Sequence, residues 1–147
     1  MITYVDSSVL VRAFLSDEDG HDEAERLLDE PGLAFVTGTW TRIEVAGALV
    51  RAGHAGRGQV HDLLAALTAR IDATEGSVAV LSAPQDKIEV GVLELVLEYG
   101  MRAMDAWHLA CAGYLLPGVS ESGEPTAFAT RDGQQREAAL RLGFAAV

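Results

Sequence analysis

Short apolar runs alternate with longer stretches of helical periodicity along this chain. The run Ile2–Val5 is brief, rich in β-formers and stops at Asp6, which predicts a buried strand. Ser7 or Ser8 is placed to cap a short helix through Phe14, and residues 19–30 predict a second, solvated helix ended by Pro31 and Gly32. Residues 33–36 predict the next strand. Over residues 39–52, Trp40, Ile43, Gly47 and Val50 recur at helical spacing. Glycines 53, 56 and 58 interrupt that pattern, and a helix resumes to about Arg70. Residues 77–81 predict a third strand. Ser82 and Gln85 have the spacing of a capping box with Pro84 in the first turn, so a helix should run to about Tyr99. Another helix is expected over 101–115, a loop over 117–125, a fourth strand over Thr126–Ala129, a last helix over 133–142 and an edge strand over 144–147. Strands separated by helices predict an α/β class, a parallel sheet of four to five strands with helices on both faces. No repeat, low-complexity tract or linker divides the chain, so residues 1–147 are expected to form one domain.

Composition narrows the function classes. A formal net charge of -11 argues against a broad basic face for gripping nucleic acid. All basic residues except Lys87 are arginines, which suit bidentate phosphate or carboxylate contacts and equally suit a GC-rich genome. The single cysteine, Cys111, excludes an intrachain disulfide and fits a reducing compartment. The first residues lack a basic region followed by an uninterrupted apolar core, so no signal peptide is expected there. No apolar run is long enough to span a membrane. A cytoplasmic location is the expectation.

Candidate chemistry lies in four carboxylates. Ligands of open parallel sheets bind in the crevice beyond the carboxyl ends of the strands. Asp6 stands where the first strand ends, and Asp132 just beyond the fourth. Glu44 lies in the first or second turn of a helix entered from the second strand. Asp105 occupies a helix that is apolar nearly all round, where a lone charge costs several kcal/mol (roughly) unless paired or metal-bound. Each acid also has a plain structural reading. Asp6 and Asp132 suit N-caps, Glu44 suits a solvated helix face, and Asp105 could pair with Arg102. Convergence on one edge favours a divalent cation, because clustered carboxylates repel one another and hard oxygen donors suit Mg²⁺ or Mn²⁺. Such a site points to phosphodiester hydrolysis.

Other hydrolytic apparatus is missing from the sequence. His21, His54, His61 and His108 show no zinc-ligand spacing. Cys111 lies inside an apolar helix and reads as a core residue. Neither a nucleophile elbow nor a phosphate loop is present. His108 is expected to orient Asp105 or satisfy a backbone group. Trp40 and Trp107 are expected in the core. A phosphoacceptor switch would need a lysine at the end of a late strand, whereas Lys87 falls in a predicted helix. An aspartate-based phosphatase would need Asp where Ser8 stands.

The segments YVDSSVL, TRIEVAGALVR, RAMDAWHLACA and FATRD, around Asp6, Glu44, Asp105 and Asp132, occur in an order and at intervals that resemble the PIN-domain family. The likeness is greatest to the VapC-type toxins of bacterial toxin–antitoxin pairs, and it covers nearly the whole chain. The resemblance implies a three-layer α/β/α PIN-like fold and an endoribonuclease dependent on Mg²⁺ or Mn²⁺. It implies Asp6, Glu44, Asp105 and Asp132 as catalytic acids, with Asp6, Asp105 and Asp132 as metal ligands. Ser8 and Thr130 match the family's hydroxyl positions, which hold a site carboxylate or a metal-bound water. A homodimer inhibited by a cognate VapB-type antitoxin, with RNA as substrate, is also implied. An RNA-processing nuclease of the same fold and a non-cutting RNA- or protein-binding domain remain the alternatives. The loop over 117–125 looks longer than the family usually carries. Arg12, Arg42, Arg102 and Arg131 are the basic residues nearest the acids in sequence.

Overall fold

In the computed structural model, which describes residues 1–71 and 74–147, β1 (Ile2–Val5), β2 (Ala34–Gly38), β3 (Val78–Leu81), β4 (Thr126–Ala129) and β5 (Ala145–Ala146) form one sheet in the order β3-β2-β1-β4-β5. Every pairing is parallel. The helices are α1 (Ser7–Phe14), α2 (His21–Leu28), α3 (Thr39–His54), α4 (Val60–Arg70), α5 (Gln85–Tyr99), α6 (Ala103–Val119) and α7 (Gly133–Arg141). This is the expected α/β class. Among the described residues no helix is long and apolar enough to cross a membrane.

Successive strand side chains point to opposite faces, and each face carries its own apolar layer. Tyr4, Val36 and Phe128 enter the layer packed by α5, α6 and α7. Val5, Phe35, Val78 and Ala129 enter the layer packed by α1 to α4. Strands covered on both faces explain the near-continuous apolar runs in the sequence. At about 25 cal/mol per Å² of apolar surface removed from water, these two layers dominate the folding energy.

Several boundaries depart from the sequence expectation. The buried stripe of α3 is Thr41, Val45, Leu49 and Ala52, so Trp40 and Ile43 face outward at 43% and 53% exposure. A helix apolar on most sides leaves its inward phase open, and the packing partners choose it. Ser82 makes no cap; α5 begins after Pro84, which is the N-cap residue and offers no side-chain acceptor. The expected loop at Pro117 is helical, and α6 continues to Val119. Pro117 forfeits one backbone bond. Burial of Leu115 and Leu116 holds that turn, and both the Ser120 N–H and its hydroxyl donate to the Leu116 carbonyl, at 3.0 and 2.8 Å.

Two features bring the carboxyl edge of the sheet together. Past the end of β1, the Asp6 N–H donates to the Ala129 carbonyl at 3.1 Å, which keeps β1 and β4 in register as both chains leave the sheet. Meanwhile β2 runs into α3 with no intervening loop, so the first turns of α3 stand over that same edge. Gly38 marks the junction. A Cβ there would lie 2.6 Å from the Trp107 ring and 2.9 Å from Cys111 Sγ, so only glycine lets α6 approach this closely.

Candidate metal and active site

Asp6 is 3% exposed and serves as the N-cap of α1. Its Oδ1 accepts from the Ser8 N–H (3.0 Å), the Ser8 hydroxyl (2.7 Å) and the Val9 N–H (3.3 Å). Its Oδ2 faces the Thr130 hydroxyl at 2.8 Å. Among the described residues no Lys or Arg forms an ion pair with it. Burial pushes its carboxyl above the usual carboxylate range, and the hydrogen bonds from Ser8, Thr130 and the Val9 N–H only partly offset that. Capping and site placement coexist in this residue: Oδ1 organises the helix start, while Oδ2 turns toward β4.

The hydroxyls of Ser8 and Thr130 tie β1 to the segment after β4. Ser8 Oγ accepts from the Arg131 N–H at 2.9 Å, and Thr130 Oγ1 accepts from the Asp132 N–H at 3.0 Å. Thr130 also lies 2.5 Å from Gln135 Oε1. Its single proton therefore faces two acceptors, Asp6 Oδ2 and Gln135 Oε1, and serves one at a time. A proton on Asp6 Oδ2 would complete the line by donating to Thr130 and leaving the hydroxyl proton for Gln135. This agrees with the raised Asp6 carboxyl.

Asp132 is exposed and caps α7, its Oδ1 accepting from the Gln135 N–H at 2.8 Å. The buried Gln135 then donates through Nε2 to the Asp105 backbone carbonyl at 3.1 Å. One side chain thus spans Thr130, α7 and the first turns of α6. Gln135 was not foreseen, although Asp132 and Gln135 have capping-box spacing and a glutamine three residues after a helix cap is the available signal.

Asp105 is partly buried in the first turn of α6. Its carboxyl is raised by burial first and by the negative charge of Asp132 next; Glu44 adds to this, while Arg102 pulls the other way. The alternative of an Asp105–Arg102 pair is not realised: among the described residues no ion pair joins them, and Arg102 is exposed. Asp105 therefore feels Asp132 and Glu44 as like charges across the same crevice.

Glu44 is 31% exposed at its side chain, and its Oε2 accepts from His108 Nε2 at 2.7 Å. The expectation that His108 would orient Asp105 or satisfy the backbone is thus corrected, because its ring reaches across to α3. The other ring nitrogen, Nδ1, lies 3.2 Å from the Tyr4 hydroxyl and 3.4 Å from Thr41 Oγ1. Tyr4, stacked on Phe128 at 5.4 Å, is fully buried, and its hydroxyl accepts from the Gly38 N–H at 3.2 Å. Burial pushes the Tyr4 phenol well above its ordinary value, so it keeps its proton. A buried tyrosine in a strand needs a partner for its hydroxyl, a signal that could have singled out Tyr4. Cys111 has the expected core role: it is 1% exposed, and burial raises its thiol to about 11.

The four acids occupy one edge, though not as a closed cage. Among the described residues no three His, Cys, Asp or Glu side chains converge closely enough to hold a metal ion. The donor set nevertheless fits a hard cation. It is all oxygen, two of its carboxyls are raised by burial or mutual repulsion, and Mg²⁺ commonly takes one or two carboxylates and keeps waters for the rest. Of the four nearby arginines, Arg42 and Arg102 are exposed, and Arg131 lies 3.8 Å from Glu23 with its Nε buried and unbonded.

Comparison with known proteins agrees with this architecture. No curated protein matches the chain in sequence. Among solved structures, VapC20 of Mycobacterium tuberculosis, a toxin that cleaves the sarcin-ricin loop, is 18% identical with a TM-score of 0.66, covering 97% of this chain and 96% of that one. VapBC2 of Rickettsia felis, solved with a DNA fragment from its promoter, is 12% identical with a TM-score of 0.61, covering 100% and 98%. VapBC-1 of nontypeable Haemophilus influenzae is 16% identical with a TM-score of 0.61, covering 100% and 97%. At these identities the likeness is one of fold. The sequence pattern of the PIN domain matches residues 3–140, nearly the whole chain, and that match together with the parallel sheet and its acidic carboxyl edge shows that this protein belongs to the PIN domain family.

Proposed function

We propose that this protein is a metal-dependent endoribonuclease, the toxin of a VapBC-type pair, acting in the cytoplasm as one domain over residues 1–147. The observation that carries the reading is Asp6: a 3% exposed carboxylate with no Lys or Arg paired to it among the described residues, on an edge where Asp105 is raised by burial and by the charges of Asp132 and Glu44. Structural acids are ordinarily paired or solvated, and this arrangement is costly until a cation arrives.

Asp6, Asp105 and Asp132 are the residues that would hold Mg²⁺ or Mn²⁺, with Ser8 and Thr130 fixing the Asp6 carboxylate. Bound there, a divalent ion lowers the pKa of a water and offsets charge developing on the phosphate. Glu44, held by His108 and part-exposed, would be the base for a water in the crevice. Arg42 and Arg102, exposed and close to Glu44 and Asp105 in sequence, would meet the RNA backbone, which an overall charge of -11 would otherwise repel. The toxin–antitoxin complexes among the structural neighbours support a VapB-type antitoxin as partner, and the sequence resemblance supports a homodimer.

Purified protein incubated with RNA should cleave it when Mg²⁺ or Mn²⁺ is present and not in EDTA. Asp6→Asn and Asp105→Asn should each abolish cleavage while the domain stays folded; retained cleavage in both would overturn the site. Growth arrest on expression, relieved by the adjacent small gene, tests the toxin role.

A further inference from the structure

The donors and acceptors around His108 can be assigned one proton at a time. The Val5 carbonyl can only accept, so the Thr37 hydroxyl, 2.7 Å away, spends its proton there. Thr41, 2.7 Å from Thr37 Oγ1, must then donate to Thr37, and its own oxygen is left as an acceptor. The Gly38 N–H can only donate, which makes the Tyr4 oxygen its acceptor and leaves the Tyr4 proton free to go onward. On the far side Glu44 Oε2 lies 2.7 Å from His108 Nε2, a contact between two acceptors unless the ring proton sits on Nε2. With the ring neutral, Nδ1 is bare and takes the Tyr4 proton at 3.2 Å, a shorter reach than the 3.5 Å to Thr41.

Building on the nuclease reading above, we infer that Tyr4 and His108 are positioning residues of the reaction: the chain Gly38 N–H to Tyr4 to His108 to Glu44 fixes the imidazole with its proton on Nε2 and holds the Glu44 carboxylate toward the crevice. The chain joins β1, the β2–α3 junction, α6 and α3. Tyr4, Thr41 and His108 are all within 1% of full burial, so water does not compete for these bonds. The tip of Glu44 is the first member to reach solvent. An exposed glutamate on a helix ordinarily samples several rotamers; this one is held by a donor that is itself held at its other nitrogen, the arrangement by which outer partners orient a working group. Among the described residues His108 bonds only to Tyr4, Thr41 and Glu44 and to none of Asp6, Asp105 and Asp132, so Glu44 is its link to the crevice.

The test combines a double-mutant cycle with a spectroscopic readout. In ¹⁵N-histidine-labelled protein, His108 should show a protonated Nε2 and a bare Nδ1, and Tyr4→Phe should alter the Nδ1 resonance. In Mn²⁺-dependent cleavage, His108→Leu and Tyr4→Phe should lower kcat about 10- to 100-fold with KM little changed, and His108→Gln, which restores a donor to Glu44, should recover part of the loss. In a Glu44→Ala background, His108→Leu should cost nothing further, because the residue it acts through is gone. Losses that multiply in the double variant, or a His108→Leu enzyme as fast as wild type, overturn the inference. A proton on Nδ1 overturns it even in a protein that cuts no RNA, whereas absence of wild-type cleavage with either ion sinks the nuclease reading and leaves the resonance to judge the chain of bonds.

Discussion

Replacing Asp6 with asparagine should make the metal-free protein slightly more stable while ending its response to metal. An amide at this position keeps Oδ1 as acceptor for the Ser8 N–H, the Ser8 hydroxyl and the Val9 N–H. Its Nδ2 takes the place of Oδ2, 2.8 Å from Thr130, and donates; Thr130 then gives its own proton to Gln135 Oε1. Asparagine and aspartate are comparable N-caps. The substitution loses about 0.3–1 kcal/mol of charge–dipole attraction at the start of α1 and part of four charge-assisted bonds, together about 2–4 kcal/mol. Against this stands relief of several kcal/mol, roughly, in desolvation of a buried charge. The raised carboxyl shows which side wins, because a group shifted upward binds its proton more tightly folded than unfolded. The stability contributed by protonated Asp6 is complete below the unfolded-state value of about 3.9 and is lost as pH rises through the higher folded value. Asp6→Asn should thus gain about 1 kcal/mol at pH 7 in EDTA, roughly 2–4 °C in Tm for a chain of this size, and gain nothing at pH 3.5. Urea or thermal melts at both pH values, with and without Mn²⁺, decide the matter. A loss of more than 1 kcal/mol (about) at pH 7, or an equal Mn²⁺-induced rise in Tm for both proteins, would refute this account.

Four further substitutions, at three positions, and one reagent probe other joints of the site. Thr130→Val strands Asp6 Oδ2, Gln135 Oε1 and the Asp132 N–H, and should cost about 2–4 kcal/mol in urea melts. Asp132→Asn should leave the α7 cap and the melting temperature unchanged while removing cleavage, whereas Asp132→Ala should also lose about 1 kcal/mol of capping. Gly38→Ala should destabilise by about 1–3 kcal/mol, since its methyl meets the Trp107 ring and Cys111. Native protein at pH 8 should leave Cys111 unmodified by a thiol reagent, and full reactivity should appear on unfolding, because the thiol is buried and raised to about 11.

Periodicity and turn chemistry carry far in this chain because they are local. The end of the run Ile2–Val5 at Asp6, and the position of Asp132 after Thr126–Ala129, place two acids at strand ends before any tertiary contact is known. Parallel pairing follows from strands spaced by helices. Likewise the apolar helix around Asp105 marks that residue as unusual wherever the helix packs. What the pattern leaves open is rotational phase and long-range partnership. Trp40 and Ile43 match a helical stripe, yet Thr41, Val45 and Leu49 face inward; the choice was made by α6 pressing onto Gly38 and by the hydroxyl network beneath it. The helix through Pro117 persists because burial of Leu115 and Leu116 outweighs one missing bond.

The acids divide along the same line. Sequence alone sufficed for a parallel α/β chain with carboxylates at its strand ends and for likeness to a nuclease family, since both rest on residue order and spacing. Only the tertiary structure decided that His108 serves Glu44 rather than Asp105, across 64 residues of chain, and that Gln135 braces Thr130 and Asp105 together. Hydrogen bonds at that separation depend on where helices land on a sheet, and that landing is set by the summed packing of two apolar layers, which no short window of sequence contains.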